Sequence, residues 1–157
     1  SLESTMKCAL AIAIVAHLLV SFPRVCAAQA NQSADATIVA EATKGTLKAL
    51  GGEYFDADYN ASVAYEAEVK DLNGDGQPEV FTKRYGAMFG MAGVELQLYI
   101  KDKNGRWVPQ FGFPGAYEIL STKAGGYPDI EIQGPGTCFP VWRWNGSAYG
   151  IHKRCAR

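Results

Sequence analysis

The stretch VELQLYIKDKNGRWV, Val94 to Val108, decides how this chain folds. Val94, Leu96, Leu98 and Ile100 alternate with Glu95, Gln97, Tyr99 and Lys101. A period of two lays one apolar row on one face of an extended strand. Asn104-Gly105 then reverses the chain, because a two-residue hairpin turn needs positive φ, which Asn and Gly tolerate, and Trp107 and Val108 begin the return. The same pattern extends outward in both directions. Upstream, Val63, Tyr65, Ala67 and Val69 alternate with Glu66, Glu68 and Lys70, and Glu79 to Tyr85 follows as a partner. Downstream, Tyr117 to Thr122 and Asp129 to Gln133 are joined through Ala124 to Pro128. Phe139 to Trp144 and Ser147 to Lys153 flank a second Asn-Gly turn at Asn145-Gly146. Ahead of all of them, Ile38, Val39, Ala42, Thr46, Leu47 and Leu50 recur at helical spacing, with Asp35 as N-cap, Gly45 as a weak interior position and Gly51-Gly52 as the stop. The expected fold is α+β: one N-terminal helix and an antiparallel β-rich domain of seven or eight short strands.

Composition narrows the function classes. The chain has 157 residues, 48% apolar and 20% charged, enough to bury a core. A net charge of -1 lacks the basic excess of nucleic-acid binders. Only His17 and His152 are present, which leaves little for multi-histidine metal sites or triad chemistry. Residues 1–30 read as material removed before folding: a tag remnant from Ser1 to Thr5, then Lys7, an apolar run from Cys8 to Val20 and an Ala28-Gln29-Ala30 cleavage signal. That predicts an exported, periplasmic domain over 31–157, with no membrane insertion once the signal is cleaved. Without Lys7, Arg24 and Glu3 the mature net charge is -2. Cys8 and Cys26 leave with the signal. Cys138 and Cys155 remain, and an oxidising compartment predicts that they pair.

One loop carries a chemical signature: Asp71-Leu72-Asn73-Gly74-Asp75-Gly76-Gln77-Pro78-Glu79. Oxygen side chains stand at positions 1, 3, 5 and 9, Gly76 at 6, and the Gln77 carbonyl can add a main-chain oxygen at 7. Hard cations such as calcium take six to eight oxygens in a tight arc, so alternate oxygen side chains with a Gly at the bend suit one. Position 12 is Thr82, where an EF-hand places a bidentate Glu, and both flanks alternate as strands. The pattern resembles the calcium loop of FG-GAP and integrin-type propeller repeats, in which such a loop joins two strands. The resemblance covers about Tyr65 to Tyr85 once, so it implies a single hairpin of that kind and not a propeller. It implies calcium ligands at Asp71, Asn73, Asp75, Gln77 and Glu79. The alternative is a metal-free turn in which Asp and Asn cap main-chain amides.

Two apolar, Gly-flanked segments offer contact surface: Gly86 to Gly93, with Met88, Phe89 and Met91, and Phe111 to Gly115, with Phe111 and Phe113. Either can instead fold over the core. Trp142 and Trp144 share one strand face, as sugar platforms and β cores both do. His152, Lys153, Arg154 and Arg157 make a basic tail. Glu66, Glu68, Glu95, Asp129 and Glu131 are carboxylates without a pairing signal, no G-x-S-x-G occurs, and Gly134 to Cys138 lacks the Lys of a phosphate loop. The expected role is therefore not enzymatic. In size, export and architecture the chain resembles periplasmic lysozyme inhibitors and the immunity proteins of type VI secretion amidase effectors. That resemblance implies a protein partner, a cell-wall hydrolase, inhibited by a loop placed in its cleft. Two alternatives stand beside it: a calcium-dependent glycan-binding or adhesion module using the Asp71 loop and the Trp pair, and a hydrolase acting on peptidoglycan.

Overall fold

The computed structural model describes residues 22–155; the apolar run of the expected leader, His17 and Arg157 lie outside them. The chain divides into two compact units, Ser1–Ala34 and Asp35–Arg157. Helix α1, Phe22–Ala42, begins in the first unit and ends in the second. Asp35 therefore lies inside the helix and does not cap it. The helix also stops earlier than its apolar spacing predicts. Lys44 and Gly45 take positive φ (54° and 83°), and the Gly45 amide donates to the Ala40 carbonyl. Gly at a left-handed position ends a helix without steric cost, which makes Gly45 the terminator. Thr43 seals the end: its hydroxyl donates to the Val39 carbonyl (2.8 Å) and accepts the Leu47 amide (3.1 Å).

Gly51-Gly52, expected to stop the helix, instead opens the first strand. Five antiparallel strands follow in simple up-and-down order: β1 (Gly51–Asp56), β2 (Ala61–Lys70), β3 (Glu79–Tyr85), β4 (Val94–Lys101) and β5 (Trp107–Pro114). A second antiparallel sheet holds β6 (Ala116–Ala124), β7 (Tyr127–Gln133), β8 (Val141–Trp144) and β9 (Tyr149–Lys153). The described residues thus carry nine strands. The segment 111–115, expected as a loop, is mostly the second half of β5. The fold class is α+β, with mostly antiparallel sheet and one N-terminal helix.

The alternation in β4 is the key to the layering. Leu96, Leu98 and Ile100 face the second sheet, where with Phe81 and Phe111 they meet Tyr127, Ile130, Ile132 and Tyr149. The opposite face of the first sheet buries Tyr65, Ala67 and Val80 against Val39, Ala42 and Leu47. Gly115 is the crossing point between sheets. A Cβ there would lie 2.0 Å from the Gln133 carbonyl oxygen, so any side chain would collide with the main chain. Cys138 and Cys155 form a disulfide-capable pair, with Cα atoms 5.6 Å apart, joining the segment before β8 to the chain after β9. Among the described residues no helix is long and apolar enough to cross a membrane.

Candidate functional site

Two places gather the residues that the sequence singles out, at opposite ends of the first sheet. The first is the β2–β3 connection. Asp71 is its hub: one carboxylate oxygen accepts the amides of Gly74 (2.7 Å) and Asp75 (3.2 Å), the other that of Gly76 (2.9 Å). Asn73 Oδ1 accepts the Asp75 amide, and Asp75 Oδ1 the Gln77 amide. Gly74 and Gly76 sit at φ 80° and 83°, where a side chain would be strained. The Gly76 amide, with the others, holds the Asp71 carboxyl below its ordinary range.

Glu79 differs from its neighbours. It is 2% exposed, and its carboxylate accepts the Leu72 amide (2.7 Å) and the Tyr127 hydroxyl (3.0 Å) of the second sheet. Burial pushes its pKa up, and the charges of Asp75 and Asp71 add to the rise. The loop thus sets the charges of Asp71 and Asp75 against ionisation of buried Glu79. Among the described residues no three His, Cys, Asp or Glu side chains converge as a ready-made metal site. A cation here would rely on Asn73 and main-chain oxygen as well as Asp71, Asp75 and Glu79. The donor set is chemically suitable for calcium: hard oxygens, of which Asp71 Oδ2 and Asp75 Oδ1 each accept one amide and keep a lone pair.

The second place is the β3–β4 connection. It forms a 3-10 turn, Ala87–Ala92, closed by hydrogen bonds from the Gly86 amide to the Gly93 carbonyl and from the Phe89 amide to the Gly86 carbonyl. The three apolar residues expected to form a contact surface here part company. Phe89 is 5% exposed, with the Tyr59 ring edge-on at 5.7 Å and the Arg84 guanidinium 5.1 Å from its ring centre. Met88 is half-buried, and Met91 is 91% exposed. Burial makes Phe89 an anchor and Met91 the tip. Phe111 is likewise buried in the inter-sheet core, and Phe113 packs against Trp142 at 4.9 Å. The second expected contact loop therefore supplies packing between the sheets and not an exposed surface. The β1–β2 turn lies at this same end and brings Tyr59 to Phe89. Exposed Phe55 and Tyr59 belong to that hairpin. The sequence signal for it is Asp56-Ala57-Asp58-Tyr59-Asn60, a turn-prone run that follows the glycines expected to stop the helix.

The remaining candidates are placed as follows. Trp142 packs on Phe111 and Phe113, and Trp144 on Tyr127 and Tyr149, so both rings turn inward. His152, Lys153 and Arg154 are exposed on β9 and the residue after it. Each carboxylate noted above has a donor: Glu95 from Arg84, Glu68 from Lys83 and Lys70, Glu66 from the Tyr85 hydroxyl, Glu131 from the Gln133 amide. Buried Asp129 accepts from Arg143 and the Thr122 hydroxyl. Comparison with known proteins yields no match: no family model fits the chain, and no curated protein or solved structure is significantly similar to it.

Proposed function

We propose that the protein is an exported binding protein that inhibits a cell-wall hydrolase, with the 86–93 turn as the element that enters the enzyme's cleft. The observation that carries this reading is the contrast within the turn: Met91 stands 91% exposed at the tip while Phe89, two residues earlier, is buried as its anchor. An apolar side chain on a fixed turn can be desolvated by a partner at low conformational cost. Tyr59, exposed on the neighbouring hairpin and edge-on to Phe89, widens the apolar contact. The hydrolase as target comes from the resemblance in size, export and architecture to periplasmic inhibitors and immunity proteins. Turnover of peptidoglycan by a muramidase and by an amidase, with and without the protein, tests it. Stoichiometric inhibition is expected, weakened about tenfold or more by Met91→Ala, since burying such a side chain contributes roughly 1.5–3 kcal/mol. No inhibition of either class, or inhibition indifferent to Met91, refutes the reading.

A second reading concerns calcium, and the opposition that the Asp71 and Asp75 charges offer to ionisation of buried Glu79 in one oxygen-rich loop favours it. A divalent ion in the loop would relieve that opposition, with Asp71, Asn73, Asp75, Glu79 and the Gln77 carbonyl as ligands. The ion would brace the hairpin and take no part in chemistry. Calorimetric titration with millimolar calcium tests it; absent heat together with an unmoved melting temperature would overturn it. The glycan-binding alternative draws no support from Trp142 and Trp144, whose rings are engaged in packing.

A further inference from the structure

Arg84 stands on β3 one residue before Tyr85, where the strand gives way to the 86–93 turn, and no motif in the sequence singles it out. Its guanidinium is engaged on every side. Nε and Nη2 donate to Glu95 Oε2 on β4. Nη1 donates to the Tyr54 hydroxyl (2.8 Å) and reaches Asp56 Oδ2 (3.4 Å), both on β1. Its Cζ lies over the Phe89 ring, 5.1 Å from the ring centre. Asp56 is itself shared. Its Oδ2 accepts the Tyr54 hydroxyl (2.8 Å), while its Oδ1 accepts the amides of Asp58 (3.0 Å) and Tyr59 (3.4 Å), which fixes the β1–β2 turn. Tyr59 then returns to Phe89 edge-on, closing a circuit that runs Arg84, Asp56, Tyr59, Phe89.

We infer that Arg84 is the positioning residue of the binding surface, fastening the 57–60 turn through Asp56 and the 86–93 turn through Phe89 into one preformed unit that presents Tyr59 and Met91 together. This deepens the binding reading above and rests on it for the surface's purpose, but not for its geometry. Two turns that moved independently would have to be ordered by a partner at the moment of binding. Two turns held by one planar cation are ordered beforehand, which preserves affinity. Lysine would not serve as well, because a single ammonium cannot span the donor directions to β1 and β4 while lying over a ring.

Hydrogen exchange read by mass spectrometry on the whole protein tests this without any partner. Removing the arginine alone would strand two carboxylates, so the variants are Phe89→Leu, which keeps bulk but removes the ring, and the charge-balanced pair Arg84→Met with Glu95→Gln. Each is expected to raise exchange of the 86–93 amides about tenfold, the scale of one cation–ring contact. The pair is also expected to raise exchange at 57–60, with β2 and β3 amides unchanged. Unchanged exchange in both turns, or a parallel rise across β2 and β3, overturns the inference. The latter result would mean that Arg84 serves general stability. Because no hydrolase enters the measurement, failure of the inhibition assay leaves this result standing, and the reverse holds as well.

Discussion

Replacing Phe89 by Ala should separate anchor from tip. Phe89 is 5% exposed and loses three things on truncation: its buried apolar area, the edge-on Tyr59 ring and the Arg84 guanidinium. Phe→Ala in a packed core costs about 3–5 kcal/mol. Phe89 sits at the end of a sheet, where the backbone can settle inward, so about 3 kcal/mol is the expected loss. With a urea slope of about 1.5 kcal/mol per M, the unfolding midpoint should fall by about 2 M. Met91→Ala, at a side chain 91% exposed, should change stability by no more than about 0.5 kcal/mol and so leave the midpoint within about 0.3 M of the parent value. Equilibrium urea unfolding followed by Trp fluorescence reads both. A Phe89→Ala midpoint equal to that of Met91→Ala would refute the argument, because it would mean that the turn is not packed on the sheet end.

Four further outcomes follow from the geometry. Breaking the Cys138–Cys155 link by Cys→Ser at both positions should lower stability by about 3 kcal/mol for a separation of 17 residues, and unreduced protein should weigh about two protons less than reduced protein. Asp129→Asn should cost on the order of 2 kcal/mol at neutral pH, as charge-assisted bonds to a buried acceptor are lost. Because Arg143 holds the Asp129 carboxyl below its ordinary range, that contribution is present above the unfolded-state value near ~4 and disappears as the pH falls through the lower folded-state value; a melting-temperature series in acid should show the variant and parent converging. Glu79 carries the opposite sign. Burial raises its carboxyl, so its protonated form favours the fold, and this contribution is lost as the pH rises through the raised value. Glu79→Gln should therefore remove a decline in melting temperature between the acid range and neutrality.

Much of the β architecture was legible because alternation is a local signal. The bounds of β3 and β4 are those that the period of two predicts, and the chain does reverse at Asn104-Gly105 and Asn145-Gly146, but within longer connections, 102–106 and 145–148, in which only the glycines take positive φ. What misled was glycine. Gly45 and Gly51 are equally good helix terminators by composition, and only the packing of Leu47 beneath the sheet decides that the first one acts. The same ambiguity hid β1, and with it the turn that carries Tyr59. Phe111-Gly112-Phe113-Pro114 reads as a loop because Gly and Pro are strand-poor, yet β5 is an edge strand, where Pro109 and Pro114 need no second neighbour. The Asp71 loop was legible as oxygen spacing, but the burial of Glu79 depends on Tyr127, 48 residues away. Arg84 gave no signal at all, since its partners come from β1, β4 and a turn.

The two ends of the first sheet are built from similar groups and put to different use. At the loop end, Glu79 spends its carboxylate on a hydroxyl from the second sheet, and the Gly125–Gly126 turn of that sheet packs beside Asn73. The Glu79 carboxylate there is turned inward and joins layers, while Asp71 and Asp75 stay exposed. At the other end, Arg84 gathers Glu95, Asp56 and Tyr54 from its own sheet alone, and its free face covers Phe89. Charge there is paired within the sheet, and Met91 and Tyr59 are large apolar groups left exposed on the two turns, with Asp58 exposed beside Tyr59. A cation that is paired on both sides and only partly exposed contributes rigidity beside an apolar tip. That arrangement stabilises a contact made by desolvation better than one made by ion pairing. For this reason the inhibitor reading predicts a partner cleft that is apolar where Met91 enters, and binding that changes little with salt.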